Sequence, residues 1–234
     1  MKKPAVNYCG LRLSNINAPQ FSHLKLLLIW PCNLILYMLT ERLIPTEMCL
    51  VIHCWLDDLV PFCEWFVIPY VSWYFLILGS VVYFLLYNVE TFRKMQIYLF
   101  LTQIIAMTVY IVFPSRQELR PDVFPRANGL SHILGFLYRL DTNTGVCPSL
   151  HVAYSLGIGS TWLREKSVSR WIRGVIALWC GLICISVVFV KQHSVADIPA
   201  AVPICLFAEW FVFLRKKEIN SQHLFSLDEM DGID

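Results

Sequence analysis

Two short segments carry the residues whose types and spacing could do chemistry. The first is residues 147–151, Cys-Pro-Ser-Leu-His, and the second is residues 191–197, Lys-Gln-His-Ser-Val-Ala-Asp. Each lies where a polar stretch meets a long apolar run, so His151, His193 and Asp197 are expected at one surface of a membrane. A titratable side chain at that depth is costly unless it is paired or faces water, so these groups indicate a functional site.

His193 and Asp197 are four residues apart. If the last apolar span begins near Lys191, this spacing places both side chains on one face of a helix. The carboxylate would then fix the tautomer of the imidazole and increase its nucleophilicity, as it does in catalytic triads. The alternative interpretation is that a loop histidine caps a helix that Asp197 happens to begin.

Pro148 and Ser149 open the fourth apolar run, and both residue types are typical of the start of a helix. Free backbone N–H groups at a helix start can bind an anion. A histidine just inside such a site, here His151, could donate a proton to an oxygen that leaves phosphorus. The alternative is a capping motif followed by an interfacial histidine.

Two arginines lie in the connection that precedes the fourth apolar run, Arg116 and Arg120. Guanidinium groups bind phosphate oxygens in a forked geometry and keep their charge, so they suit a site that stabilises a phosphoryl transition state. Taken alone, an arginine in a loop is usually a solvated surface charge. Their interest comes from the histidine segments at the same predicted face.

The elements that position these residues are apolar helices. With 57% hydrophobic and 15% charged residues, the chain is too apolar for a soluble domain, in which about a quarter of residues are charged. We therefore expect an all-α fold, a polytopic membrane helical bundle with about six transmembrane helices. Windows of the required length of about 20 residues are Leu24–Ile44, Trp65–Tyr87, Met95–Phe113, Val146–Leu163, Trp171–Val190 and Ser194–Leu214. Polar residues and a proline interrupt or terminate the first window.

The basic residues predict the orientation of the bundle. Six spans place both termini on one side of the membrane, and the segments of that side hold 13 of the 19 lysines and arginines. The positive-inside rule then places the termini in the cytoplasm and the site at the outer face, in the plasma membrane. Residues 1–22 and 218–234 are expected to be tails around a single domain, residues 23–217. The connection from Pro114 to Gly145 has the composition of an interfacial helix and a turn.

Three motifs occur in a fixed order at the same predicted face: Arg-Pro at 120–121, Pro-Ser-x-His at 148–151 and His-x-x-x-Asp at 193–197. This arrangement resembles the signature of the type 2 phosphatidic acid phosphatase superfamily. That superfamily includes lipid phosphate phosphatases and, more distantly, inositol phosphorylceramide synthases. The resemblance covers roughly residues 114–203, and the plan of six spans extends it over most of the chain.

The resemblance implies a role for each residue. His193 would attack phosphorus and form a phosphohistidine, Asp197 would orient His193, and His151 would protonate the leaving group and then activate water or an alcohol. Arg120, with the backbone and hydroxyl of Ser149, would hold the phosphoryl oxygens. It implies no metal and no other cofactor. The expected partners are a lipid phosphate or diphosphate substrate and membrane lipids, and no nucleic acid.

The chain departs from the family pattern at three positions. Phe113 stands where the first motif has a lysine, Val187 stands where the third has an arginine, and Leu150 replaces the usual glycine of the second. The leucine at this position is similar to the variant of the motif found in the inositol phosphorylceramide synthase-like branch. Two phosphate-binding cations are therefore missing, and Arg116 and Lys191 are the candidate replacements.

Three functions are consistent with these residues. The leading one is a membrane phosphatase that hydrolyses a lipid phosphate or diphosphate. A phosphotransferase would use the same phosphohistidine but pass the group to the hydroxyl of a lipid or of inositol. A non-catalytic anion-binding or transport protein is the third. The presence of two histidines and an aspartate argues against the third, because an anion site needs cations more than it needs a carboxylate.

Overall fold

In the computed structural model, which describes residues 3–215, the long apolar runs form helices. Within those residues the α-helices are α1 Ile29–Leu43, α2 Trp55–Leu59, α3 Val67–Tyr87, α4 Val89–Val112, α5 Gly129–Leu140, α6 Leu150–Arg164, α7 Arg170–Phe189 and α8 Asp197–Glu209. A parallel pair of two-residue strands, β1 Leu50–Val51 and β2 Ser115–Arg116, joins two loops. The fold is an all-α polytopic bundle, as the sequence predicts.

Short helical turns extend several of these elements. A π-helical turn, Trp210–Leu214, continues α8. The 3₁₀ turns are Tyr8–Gly10, Leu13–Asn15, Ser22–Leu28, Thr46–Met48 and Glu64–Phe66. Two of them lengthen the helices that follow, because Ser22–Leu28 runs directly into α1 and Glu64–Phe66 runs into α3.

Five helical stretches among the described residues are long and apolar enough to cross a membrane. They are Ser22–Leu43, Glu64–Tyr87, Val89–Val112, Arg170–Phe189 and Asp197–Leu214. The chain is therefore an integral membrane protein by the length and composition of its helices. These stretches correspond to five of the six expected windows.

The sixth window, Val146–Leu163, differs from the prediction. Its helix, α6, has 15 residues, about 22 Å of rise, which is less than the roughly 30 Å of a hydrocarbon core. The reason is local, because the window's first four residues form a loop and the Ser149 side chain caps the helix by accepting from the N–H of Val152. Although α6 is short, it is deeply buried, because it packs against α3, α4, α7 and α8.

Small residues let α6 lie close to its neighbours. A Cβ added at Gly157 would come within 2.1 Å of the Tyr98 ring of α4. On another face of the same helix, the indole N–H of Trp162 donates to the hydroxyl of Ser80 in α3 over 2.8 Å. The position of α6 at the centre of the bundle is thus fixed by close packing and by a buried hydrogen bond.

The N-terminal segment packs on one end of the bundle. The Tyr8 hydroxyl donates to the carbonyl of Leu85 over 2.9 Å and lies 2.8 Å from Nε2 of His23. Leu85 is near the end of α3, whereas Tyr70 near its start stacks on His151. The N-terminal segment and the histidines therefore lie at opposite ends of α3. The predicted tail 218–234 lies outside the described residues.

Loops and α5 cover the end of the bundle that carries the histidines. The connection from residue 114 to 145 contains α5, with Leu134 buried and Phe136 exposed, so a helix is present where the sequence predicts one. Arg126 forms an ion pair with Glu64 over 3.1 Å and so ties this connection to the start of α3. This cover positions the polar groups described next.

Candidate functional site

The loop between α7 and α8 folds back on the end of α7. The backbone N–H groups of Gln192 and His193 both donate to the carbonyl of Val187, over 3.0 and 3.1 Å. Lys191 adopts a left-handed conformation with φ of 52° to make this reversal. Because α8 begins at Asp197, His193 and Asp197 meet across a turn, and not along one face of a helix as the spacing had suggested.

His193 and Asp197 form a hydrogen-bonded pair. Nδ1 of His193 lies 3.0 Å from Oδ2 of Asp197 and 2.9 Å from the carbonyl oxygen of Val146. Both neighbours are acceptors, so Nδ1 carries the proton, and in the neutral ring Nε2 is the nitrogen that has the lone pair. Asp197 is fully buried and its Oδ2 also accepts from the N–H of Ser194 over 3.0 Å. The carboxylate thus fixes the tautomer and the plane of the imidazole.

His151 lies in the first turn of α6 and faces His193. The two ring centroids are 5.9 Å apart in an edge-to-face arrangement. The His151 ring stacks on Tyr70 at 4.6 Å and contacts Trp73 in a tilted arrangement at 4.3 Å, both in α3. Its Nε2 is buried and makes no hydrogen bond within the described part of the chain. The α3 aromatic rings therefore hold an imidazole with a free polar atom beside His193.

Asp57 of α2 anchors the loop that carries His193. Its two carboxylate oxygens accept from the Ser194 hydroxyl over 2.6 Å and from the Val195 N–H over 2.7 Å, and one of them also accepts from the Cys54 N–H over 2.8 Å. Burial acts to raise the pKa of Asp57, but these hydrogen bonds outweigh it and lower the pKa below its usual value. Asp57 is therefore an ionised anchor at neutral pH.

Lys191 attaches the same loop to the same helix. Its Nζ donates to the carbonyls of Asp57 and Val60, over 2.9 and 2.6 Å, and its burial lowers its pKa. The predicted substrate cation is thus directed at the end of α2. It does not line the cavity described below.

Arg120 contacts protein carbonyls through both ends of its guanidinium group. Nη1 donates to the carbonyls of Tyr138 and Asp141, each over 3.1 Å. Nη2 donates to the carbonyl of Thr142 over 2.6 Å and to Oε1 of Gln192 over 2.5 Å. Four of the five N–H donors of an arginine are thereby in use. Arg120 joins the end of α5 to the residue before His193 and does not itself line the cavity.

Two further predicted phosphate ligands have other contacts. Nη1 of Arg116 pairs with Glu118 over 2.6 Å. Ser149 is fully buried, and its hydroxyl caps α6. The structure therefore brings together the three predicted catalytic residues, His151, His193 and Asp197. It leaves the four predicted substrate-binding residues, Arg116, Arg120, Ser149 and Lys191, outside the cavity wall.

A cavity of about 860 Å³ connects the histidines with the interior of the bundle. Its polar end is lined by His151, His193, Gln192 and Asp141, and its apolar end by side chains of α1 and α3, among them Trp30, Leu34, Ile77, Leu78 and Val81. A site of this size and lining suits a ligand with one polar end and a long apolar part.

Gln192, Asp141 and Tyr37 are cavity residues that the sequence motifs do not indicate. The hydroxyl of Tyr37 in α1 donates to Oδ1 of Asp141 over 2.5 Å. Burial raises the pKa of Asp141 above its usual value. Only the position of Gln192 beside His193 could have drawn attention to it. Asp141 and Tyr37 are in contact although they are 104 residues apart in sequence, so no local sequence pattern reveals this pair.

Comparison of the chain with protein-family models, with curated proteins and with solved structures gives no match. In the described residues, no group of three or more His, Cys, Asp or Glu side chains is arranged to hold a metal ion. What the chain does is therefore inferred from its hydrogen-bonded histidine, the second imidazole and the cavity beside them.

Proposed function

We propose that the chain is a membrane phosphatase that hydrolyses a lipid phosphate or diphosphate through a phosphohistidine on His193. One observation carries this proposal. The Nδ1 proton of His193 is held between Asp197 and the Val146 carbonyl, which leaves Nε2 as a nucleophile, and a second imidazole lies 5.9 Å away on the same cavity. The chemistry matches the roles implied by the superfamily that the sequence resembles.

The first half-reaction transfers the phosphoryl group to the enzyme. Nε2 of His193 attacks phosphorus as the bond from phosphorus to the leaving oxygen breaks, and Asp197 stabilises the positive charge that develops on the ring. The leaving oxygen takes a proton from His151. A buried imidazole such as His151 is neutral by default, and the negative charge of a bound phosphate favours its protonated form. Binding of the substrate would thus favour the protonated form of His151, which is the form that acts as the general acid.

The second half-reaction returns the enzyme to its starting state. A water molecule gives a proton to His151 and attacks phosphorus, and the bond between phosphorus and Nε2 breaks to release inorganic phosphate. The tail of the substrate would lie in the apolar part of the cavity. From Tyr70 to Val81, both on the cavity wall, α3 rises about 16 Å, which accommodates a long hydrocarbon chain.

The proposed site lies on the outer side of the plasma membrane. Two observations support this orientation. The basic residues are concentrated in the segments of the N-terminal side, and the N-terminal segment packs at the end of α3 that is far from His151. A substrate head group would therefore reach the histidines from outside the cell.

The test uses the purified full-length protein with a panel of lipid phosphates and diphosphates, with and without glycerol or inositol. Release of inorganic phosphate supports the phosphatase, whereas a new phosphoester of the added alcohol would identify a phosphotransferase. His193→Ala should abolish turnover. His151→Ala should lower it by about 10²–10⁴-fold, and an aryl phosphate, whose leaving group needs little protonation, should partly rescue it.

A histidine outside the site provides the matched control. His53 is exposed and pairs with exposed Asp58, so His53→Ala should turn over at the wild-type rate. Absence of turnover on every substrate, combined with binding of the lipid phosphates that survives in His193→Ala, would instead identify an anion-binding protein.

A further inference from the structure

Gln192 is a buried polar residue on the cavity wall whose hydrogen-bonding capacity is only half used. It is 3% exposed, precedes His193 and lines the same cavity. Its Oε1 accepts from Arg120, whereas its Nε2 makes no hydrogen bond within the described residues. A buried amide donor without an acceptor is unfavourable, and one on a cavity wall can be satisfied by an acceptor bound in the cavity.

Arg120 determines which way the amide of Gln192 points. A guanidinium group carries donors and no acceptor, so the amide atom that faces it at 2.5 Å must be the oxygen. The NH₂ group is therefore at the other end of the amide and points away from Arg120. Arg120 is itself held by three backbone carbonyls, those of Tyr138, Asp141 and Thr142, so this orientation is rigid.

The charged residues expected to hold the phosphate do not fill this position. Arg116 and Lys191 are engaged by Glu118 and by carbonyls of the α2 region. Arg120 has only its Nε–H without a partner. Among the described residues that line the cavity, Gln192, Trp30 and Trp73 carry buried N–H donors without a partner. Of these three, Gln192 is adjacent to His193 in the chain.

We propose that the side-chain N–H of Gln192 binds a phosphoryl oxygen at His193 and stabilises the transition state, and that Arg120 acts by positioning Gln192. This inference rests on the proposed phosphatase function and adds a catalytic residue to it. A donor fixed before the reaction begins needs no reorganisation as charge develops on the phosphoryl oxygens, which is the basis of oxyanion stabilisation. A neutral amide thereby takes the place of a phosphate-binding cation.

The experiment compares Gln192→Ala and Gln192→Glu with Gln117→Ala in the full-length protein. Gln117 is the matched control because it is also fully buried with an unpaired Nε2, yet it does not line the cavity. Removal of one oxyanion donor should lower kcat by about 10²-fold in both Gln192 variants. Gln117→Ala should keep kcat within about threefold of the wild type.

Inhibition by vanadate separates a catalytic role from a structural one. Vanadate forms a trigonal bipyramidal adduct that resembles the transition state, so Gln192→Ala should weaken vanadate inhibition by about the same factor as kcat while KM changes little. Arg120→Lys should lower kcat in the wild-type background and have little further effect in Gln192→Ala. A loss of kcat accompanied by an equal rise in KM and unchanged vanadate inhibition would contradict the proposal.

The two proposals fail in different ways. If the wild type and its His193→Ala variant behave as the phosphatase predicts but Gln192→Ala turns over at the wild-type rate, the role of Gln192 is wrong and the phosphatase stands. If the wild type itself shows no turnover and no phosphoenzyme, both are wrong. If Gln192→Ala does not fold, as judged by its elution profile, Gln192→Glu, which keeps the size of the side chain, decides between these outcomes.

Discussion

Asp57→Ala tests whether α2 anchors the loop that carries His193. The carboxylate accepts three hydrogen bonds, from the Ser194 hydroxyl, the Val195 N–H and the Cys54 N–H, over 2.6, 2.7 and 2.8 Å. Hydrogen bonds to a charged group contribute about 1.5–3 kcal/mol each. Cys54 is partly exposed and lies in the same segment as Asp57, so only the two bonds to the loop, those from Ser194 and Val195, are counted, each at the lower end of the range. The expected loss is about 3 kcal/mol in the free energy of unfolding.

The measurement is thermal unfolding in detergent, followed by tryptophan fluorescence, together with turnover. For a chain of this size, a loss of that magnitude lowers Tm by about 6–12 °C, and Asp57→Asn, which keeps one acceptor oxygen, should lose about half as much. Turnover should fall as well, because Ser194 and Val195 lie between His193 and Asp197. Asp58→Ala is the matched control, since Asp58 is exposed and pairs with exposed His53.

The contribution of Asp57 also has a defined dependence on pH. Its pKa in the folded protein is below the value in the unfolded chain, which is about 3.9. The stabilisation is therefore complete well above pH 4 and is lost as the pH falls through the pKa of the folded protein. The difference in Tm between the wild type and Asp57→Ala should be constant from about pH 6 to 8 and shrink only in acid. Equal Tm and turnover of the two proteins at neutral pH would refute the anchoring role.

Three other perturbations have defined outcomes. Gly157→Ala should lower Tm markedly because its Cβ would overlap the Tyr98 ring, whereas Gly79→Ala, which has open space, should not; equal Tm values would contradict the packing of α6. In a cysteine-free background, Val123→Cys should react with an impermeant thiol reagent in intact cells and Lys166→Cys should not. The opposite labelling pattern would mean that the proposed orientation is wrong. Turnover should persist in EDTA, since the proposed chemistry uses side chains and no metal ion; a loss that added zinc or magnesium restores would contradict it.

The long helices could be predicted from the sequence because a membrane span is specified by the length of an apolar run. The window Trp65–Tyr87 corresponds to α3, Val67–Tyr87, and Trp171–Val190 corresponds to α7, Arg170–Phe189. The apolar window Met95–Phe113 places the start of α4 too late, because the first turn of this helix is polar. The structure begins α4 at Val89, after the Asn88 side chain caps it. Capping of a polar turn is a local effect that hydropathy does not register.

The two histidines and the aspartate of the candidate site could be predicted because they occur in short motifs at the ends of apolar runs. His193 and Asp197 form a hydrogen bond, but the prediction that both lie on one face of a helix is wrong. They meet across a turn that Asp57 and Lys191 hold in place, and a spacing of four residues contains no information about that anchor. The residues that surround the cavity required tertiary contacts, such as the one between Tyr37 and Asp141.

The contacts of the cationic side chains near the site could not be predicted from the sequence. Arginine and lysine were expected to bind the substrate because of their charge. In the folded chain, Arg120 and Lys191 instead satisfy backbone carbonyls at the ends of α5 and α2. Buried carbonyls at helix ends need donors, and this requirement competes with substrate binding for the same cations. Which requirement prevails depends on the fold and not on the motif.

Trapping of the phosphoenzyme tests whether His193 carries the phosphoryl group during turnover. The purified protein is mixed with a lipid phosphate labelled in its phosphoryl group, quenched in base within the first turnover, and digested for mass spectrometry. We expect one phosphorylated peptide, acid-labile and base-stable, with the modification on His193 and absent from His193→Ala. Label on any other residue, or turnover by His193→Ala at the wild-type rate, would contradict the mechanism.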